Sequence, residues 1–234
     1  EAGTGEMEHM NAQGKRTGET AREYAYRMIR EQIISLELKP GEAFNDMDFA
    51  AKIGVSRTPV REAVIQLSEE SRIIEIFPQR GMRIALIDVE LVEEARSLRV
   101  LLEKQMAGMC CEMATEEDIK WLQENIGLQE FYMENSRPEM LMQLDDKMHH
   151  KLFMICHREL TYGMCQKLAI HYDRIRSLSV NTVKDNTIIE DHKKIIQFIA
   201  AHEKEKAMAQ MEKHLSRWQI NEGKFRQKFP EYFK

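Results

Sequence analysis

Gly54-Val55-Ser56-Arg57-Thr58-Pro59-Val60-Arg61-Glu62-Ala63 reads as the opening of a helix. Ser56 or Thr58 can accept one of the backbone N–H groups that a first turn leaves unpaired, and Pro59 suits a first-turn position where no donor is needed. Arg57 and Arg61 stand i, i+4 and share a face, whereas Val60, Ala63, Val64 and Leu67 recur on the opposite side at core spacing. A helix that buries one side and offers guanidiniums from its N-terminal end suits a DNA major groove. A surface helix with solvated arginines has the same spacing, so the flanking segments must decide.

Those segments read as the rest of a small DNA-reading domain. Asp46 to Ile53 makes a short helix with Phe49, Ala50 and Ile53 inward, and Gly54 is placed to end it in a left-handed cap. Upstream, residues 21–36 carry Tyr24, Met28, Ile33 and Ile34 at near-helical spacing, and Pro40-Gly41 stops the chain beyond them. Downstream, Ile73 to Phe77 and Met82 to Leu86 read as strands joined by Pro78-Gln79-Arg80-Gly81. Three helices and a hairpin make a winged helix. Arg80 at the hairpin tip is the natural phosphate or minor-groove contact, and Gly81 lets backbone approach closely.

Leu38-Lys39-Pro40-Gly41, the ten residues from Gly54 to Ala63, and Pro78-Gln79-Arg80-Gly81 stand in an order and spacing that resemble the N-terminal domain of the GntR family of bacterial transcription regulators. The resemblance covers roughly residues 20–87. It implies contact with double-stranded operator DNA through Arg57, Thr58 and Arg61 in the recognition helix and through Arg80 and Gly81 in the wing. Two positions depart from the family pattern: Met47, where many members carry a basic residue, and Ser71, where a glycine is usual.

Length and composition agree with a two-domain protein. The 234 residues hold a head of about 65 residues and a larger second domain. A net charge of −5 argues against indiscriminate coating of nucleic acid, but not against a reader whose arginines are concentrated on one surface. No apolar run reaches the length of a membrane span, and the polar start lacks the apolar stretch of a signal peptide. Cys110, Cys111, Cys156 and Cys165 form no CxxC pair and are expected as reduced, mostly buried thiols of a cytoplasmic protein. Residues 1–19 are expected to be a disordered lead, 20–87 the winged-helix domain and 88–234 an all-helical domain.

From Asp88 onward the pattern is uninterruptedly helical. Helices are expected near 89–112, 116–134, 138–157, 160–180, 186–203 and 205–228, with Thr115-Glu116-Glu117-Asp118, Ser136-Arg137-Pro138 and residues 181–186 as punctuation. Many of the 16 methionines fall on apolar faces, Met106, Met148 and Met211 among them. Asp146 and His150 stand i, i+4, which puts a carboxylate beside an imidazole; Asp145 and His149 have the same spacing. With His192 and His214 on later helices turned inward, such a pair makes an oxygen-and-nitrogen site that borderline divalent ions accept.

This region resembles the FCD-type ligand-binding domain of the FadR subfamily, in which an Asp-x3-His helix and two later histidines hold a metal in many members. Aligning Leu152-Phe153-Met154-Ile155-Cys156 with the family's apolar run favours Asp146 and His150 as ligands, with His192 and His214 completing the set. Ser97-Leu98-Arg99-Val100-Leu101-Leu102-Glu103 resembles the first-helix motif whose arginine faces the effector; this carries effector binding onto Arg99, for which a salt bridge to Glu103 is the structural alternative. The expected fold is mainly α: an N-terminal winged helix-turn-helix followed by an all-α, FCD-like bundle. The expected protein is a cytoplasmic homodimer and a repressor. Its cofactor is a divalent ion (Zn, Ni or Mn), and its effector is a small organic acid or sugar acid. A metal-dependent hydrolase with an appended DNA-binding head is the competing class, since the same ligand set can activate water.

Overall fold

Helix α1 (Ala21–Ile34) starts at a capping box in which Thr20 and Glu23 satisfy each other's backbone N–H groups. It buries Tyr24, Ala25, Ile29 and Ile33. The computed structural model describes residues 14–135, 137–182, 187–217 and 222–234. The chain divides into two compact units, Glu1–Leu86 and Ile87–Lys234, one residue before the expected boundary. Residues 1–13 of the expected lead lie outside the described residues; within 14–19, the Arg27 guanidinium donates to Glu19 Oε1 at 2.8 Å and to the Gly14 carbonyl at 3.0 Å.

Within the first unit, α2 (Asp46–Ile53) begins at Asn45, whose side chain accepts from the Met47 and Asp48 N–H groups, and ends at Gly54 with φ 73°. A β-carbon in that left-handed region costs about 1–2 kcal/mol. Gly54→Ala is therefore expected to lower the stability of this unit by about that amount in a urea titration. Helix α3 (Arg57–Ser71) turns Val60, Ala63, Val64 and Leu67 onto α1. Ser56 occupies the cap position without a side-chain cap bond, and Thr58 lies inside the first turn, so neither hydroxyl makes the expected cap. The left-handed residue that ends α3 is Arg72, at φ 56°, while Ser71 Oγ donates back to the Leu67 carbonyl at 2.8 Å. Strands β2 (Ile74–Phe77) and β3 (Gly81–Ile84) form the wing, and β1 (Ala43–Phe44) adds to β3, giving the antiparallel order β1-β3-β2. A two-residue strand has no alternation to read, so β1 was invisible in the sequence.

The second unit is helical. Helix α4 (Val89–Met113) is capped by Asp88, and α5 (Glu116–Glu134) by a Thr115/Asp118 capping box. Helices α6 (Pro138–Ile155), α7 (Glu159–Thr182) and α8 (Thr187–Ala200) follow. The helix expected over 205–228 is replaced by α9 (Lys204–Leu215) and α10 (Glu222–Lys228). Ser216 ends α9, its hydroxyl donating to the Glu212 carbonyl at 2.8 Å. A cluster including Met106, Leu122, Leu141, Met148, Leu152, Ile195 and Met211 forms the core. The four cysteines are free and buried. Gly108 lets α4 and α9 approach so closely that a Cβ there would lie 2.8 Å from Met208 Sδ. Beyond α10, Phe233 forms a parallel bridge with Ile87: the Ile87 N–H donates to the Tyr232 carbonyl at 2.7 Å, and the Lys234 N–H to the Ile87 carbonyl at 3.0 Å. Among the described residues no helix is long and apolar enough to cross a membrane.

Candidate functional site

Two surfaces carry the chemistry, one in each unit. In the first, Arg57, Thr58 and Arg61 are exposed on the first two turns of α3, and Arg80 and Gly81 are exposed at the tip of the β2–β3 hairpin. The tip is a tight turn closed by the Arg80 N–H on the Phe77 carbonyl at 3.0 Å, with Gln79 at φ 61° and Gly81 at φ 98°. Arg57 is held: its Nε donates to Asp46 Oδ2 at 3.0 Å, and that carboxylate is almost fully buried. The pair presents the guanidinium in one orientation and sacrifices part of its freedom to reach for a phosphate.

In the second unit, Asp145, His149, His192 and His214 each offer a ligand atom within 4.8 Å of the others, and all four are buried. His192 Nε2 lies 3.2 Å from His214 Nε2, which lies 3.3 Å from His149 Nε2. Asp145 Oδ1 is 3.4 Å from His192 Nε2, and Oδ2 is 3.7 Å from His149 Nε2. A tetrahedral ion with bonds of about 2.0–2.1 Å spaces its ligands about 3.3–3.4 Å apart, so the cluster has the dimensions of a coordination shell.

The opposite edges of the rings explain why Nε2 faces inward. His149 Nδ1 lies against Glu103 Oε2, and His192 Nδ1 is 2.9 Å from Gln129 Oε1. Donation from Nδ1 to Gln129 leaves the His192 ring directing its Nε2 lone pair at Asp145 and His214. His214 Nδ1 faces Asp191 Oδ2 at 4.0 Å, and Asp191 is itself held by Gln210 at 2.7 Å and by Arg217. Burial pushes His192 down to about 4 in spite of the Asp145 charge. Burial and the two neighbouring imidazoles hold His214 well below its usual value. Burial alone would raise Asp145 and Glu103, but Arg176 and the histidines hold the first well below the carboxylate range, and Arg99 and His149 the second.

Asp146 and His150, the pair expected from the sequence, are not at this site. Residues Leu141, Leu144, Met148 and Leu152 define the buried stripe of α6, and Asp145 and His149 lie on it, while Asp146 and His150 lie one residue farther round. The Asp146 side chain is 47% exposed and takes Arg176 Nη1 at 2.8 Å. His150 stacks on Tyr162 with ring centroids 4.3 Å apart. His192 and His214 are in the cluster as expected. Arg99 is buried, with Nε on Glu103 Oε1 at 2.6 Å and its guanidinium 5.2 Å from the Tyr172 ring centroid, so the salt bridge and a place beside the cluster hold together. Gln129 and Arg176 entered from distant parts of the chain, where no local spacing marks them. A groove of about 570 Å³ on the α5–α8 surface, lined by Ile126, Gly127, Glu130, Lys193 and Ile196, contains none of the four candidate ligands.

Comparison with known proteins agrees with both halves. Residues 94–217 match the FCD domain, and residues 21–84 match the bacterial regulatory proteins of the gntR family. The HTH-type transcriptional repressor RspR of Escherichia coli K12 is 27% identical over 209 residues, covering 89% of this chain and 91% of that protein. The Nta operon transcriptional regulator of Aminobacter aminovorans is 30% identical over 126 residues, covering 54% and 59%. Among solved structures, E. coli McbR/YncC superposes with a TM-score of 0.73 at 18% identity, covering 90% of this chain and 99% of that one. A GntR regulator from Rhodococcus sp. RHA1 does so with a TM-score of 0.70 at 17% identity, covering 86% and 96%. At such identities the structures establish the fold alone. Nothing in these relatives supports the hydrolase reading. With the FCD match spanning more than half of the chain and the gntR match spanning the head, the chain belongs to the FCD-domain transcription regulators of the gntR family, which bind DNA.

Proposed function

We propose that the chain is a metal-dependent, ligand-responsive repressor, active in the cytoplasm as a homodimer. The observation that carries the metal is the convergence of three Nε2 atoms and the Asp145 carboxylate at ligand–ligand distances, with outward Nδ1 contacts at His149 and His192. Among the described residues, the buried Nδ1 atoms of His149 and His214 have no hydrogen-bond partner, and such orphaned polar atoms cost free energy that binding an ion to the ring set would offset. Asp145, His149, His192 and His214 would hold Zn²⁺, Ni²⁺ or Mn²⁺, and the ion would supply a Lewis-acidic position for an oxygen ligand.

A small carboxylate, an organic acid or a sugar acid, is the effector this chemistry favours. Glu103 takes only the Nε–H of Arg99, so the Nη groups of that guanidinium can still donate to an effector carboxylate, and the ion would offer the same carboxylate an oxygen-ligand position. In the head, Arg57, Thr58, Arg61, Arg80 and Gly81 are proposed to contact the operator, two heads of a dimer reading two half-sites. Effector binding then changes operator affinity by as much as it prefers one state, about 1–3 kcal/mol or roughly 5- to 150-fold. RspR being named a repressor supports that direction of control.

The test uses the full chain stripped with chelator and reloaded with zinc, and a duplex selected from a random pool at fixed salt. Expected are one zinc per chain and an operator affinity that changes at least fivefold with one member of a panel of small carboxylates, citrate included, only when zinc is present. A protein that retains no metal, or a duplex affinity indifferent to the whole panel, sinks the reading.

A further inference from the structure

Helix α5 buries two side-chain amides, Asn125 and Gln129, one turn apart and each less than 5% exposed. A buried amide costs free energy unless its donors and acceptors are matched. Here they are matched in a single line. Asn125 Nδ2 donates to the Leu144 carbonyl at 3.1 Å, Gln129 Nε2 donates to Asn125 Oδ1 at 2.7 Å, and Gln129 Oε1 meets His192 Nδ1 at 2.9 Å.

The sense of this line is not free. A backbone carbonyl only accepts, so Asn125 must turn its NH₂ to Leu144 and its oxygen to Gln129. Gln129 must then turn its NH₂ to Asn125 and its oxygen to His192. An oxygen at that place requires His192 to donate from Nδ1, which leaves Nε2 bare on the side of Asp145 and His214. Reversing both amides would set Asn125 Oδ1 against the Leu144 carbonyl, acceptor against acceptor in a buried site. We infer that Asn125 and Gln129 are positioning residues that set the tautomer of His192, with the Leu144 carbonyl as the fixed end of the relay. Leu144 directly precedes Asp145 in the chain, so the relay also ties α5 to the turn of α6 that carries the carboxylate.

The consequence for metal binding rests on the reading above: a ring locked with Nε2 bare needs neither rotation nor proton transfer before it ligates. His149 Nδ1 also faces an acceptor, the Glu103 carboxylate, whereas His192 is held by a neutral amide.

Two measurements on the full chain decide it. In metal-free protein labelled with ¹⁵N-histidine, His192 is expected as the Nδ1–H tautomer, and Asn125→Leu, which releases Gln129 to rotate, is expected to mix in the Nε2–H form. A wild-type His192 protonated at Nε2 overturns the inference. In zinc titrations against a competing chelator, Gln129→Leu is expected to weaken binding about 10- to 100-fold. Gln129→Glu keeps an acceptor toward His192 but sets oxygen against Asn125 Oδ1, so it is expected to retain zinc while lowering the melting temperature. Two substitutions that track stability alone, or Gln129→Leu binding zinc like wild type, overturn the inference. Failure of the wild type to take up zinc overturns the metal reading instead, and the metal-free spectrum still decides the relay.

Discussion

His149→Ala is expected to abolish stoichiometric zinc retention, with affinity falling by more than about 100-fold, whereas His150→Ala leaves it at the wild-type level. The two residues are neighbours on one helix, and a hundred degrees of helical turn separates a ring among three ligands from a ring stacked on Tyr162. Asp145→Asn and Asp146→Asn form a second such pair. Asp145→Asn keeps the side-chain volume, and Arg176 retains Asp146 and Asp173 as partners, so lost metal would not reflect a collapsed helix. Competition with a chromophoric chelator reads the affinity, and thermal melts of the metal-free variants supply the folding control. Equal losses at 149 and 150 would mean that the effect is structural, and undiminished binding in His149→Ala would refute the ligand set.

Arg61→Ala is expected to weaken selected DNA by about 1–3 kcal/mol, roughly 5- to 150-fold, with metal content unchanged. Arg61 is exposed on the second turn of α3, and its removal costs the head little packing. Arg57→Ala is a different experiment, because it strips the buried Asp46 carboxylate of its guanidinium. It is expected to lower the stability of the head by about 1–3 kcal/mol in addition to any loss of binding. A gel-shift titration at fixed salt, run beside urea unfolding, separates the two. Unchanged DNA affinity in Arg61→Ala would remove this helix face from the interface.

The head was legible because its signals are local. The cap residue Gly54, the i, i+3, i+4 apolar stripe of α3 and the Pro78–Gly81 turn each act within a few residues, and each appears where the pattern places it. The metal cluster was legible in its ingredients but not in its register. Asp145-Asp146 and His149-His150 are tandem duplicates, and i, i+4 spacing fits either pair. What separates them is the burial stripe through Leu141, Leu144, Met148 and Leu152, a stronger guide than the apolar run after the histidines. The supporting residues had no local mark. Gln129 meets His192 across 63 residues, and Arg176 meets Asp145 across 31, so only the folded chain brings them together.

The bridge between Ile87 and Phe233 bears on how the second unit comes into being. The ion pair that reinforces it, Lys234 Nζ to Asp88 Oδ2 at 2.8 Å, joins residues 146 apart in sequence. Closing a loop of that length costs entropy that only the assembled helices between its ends can repay, so this ring should shut after the bundle has condensed. On a ribosome the Ile87 side of that bridge leaves the exit tunnel long before Phe233 is made. The Ile87 amide must therefore wait in water through the synthesis of every helix of the bundle, and its late burial would time-stamp the end of folding in a pulse-labelled hydrogen-exchange experiment.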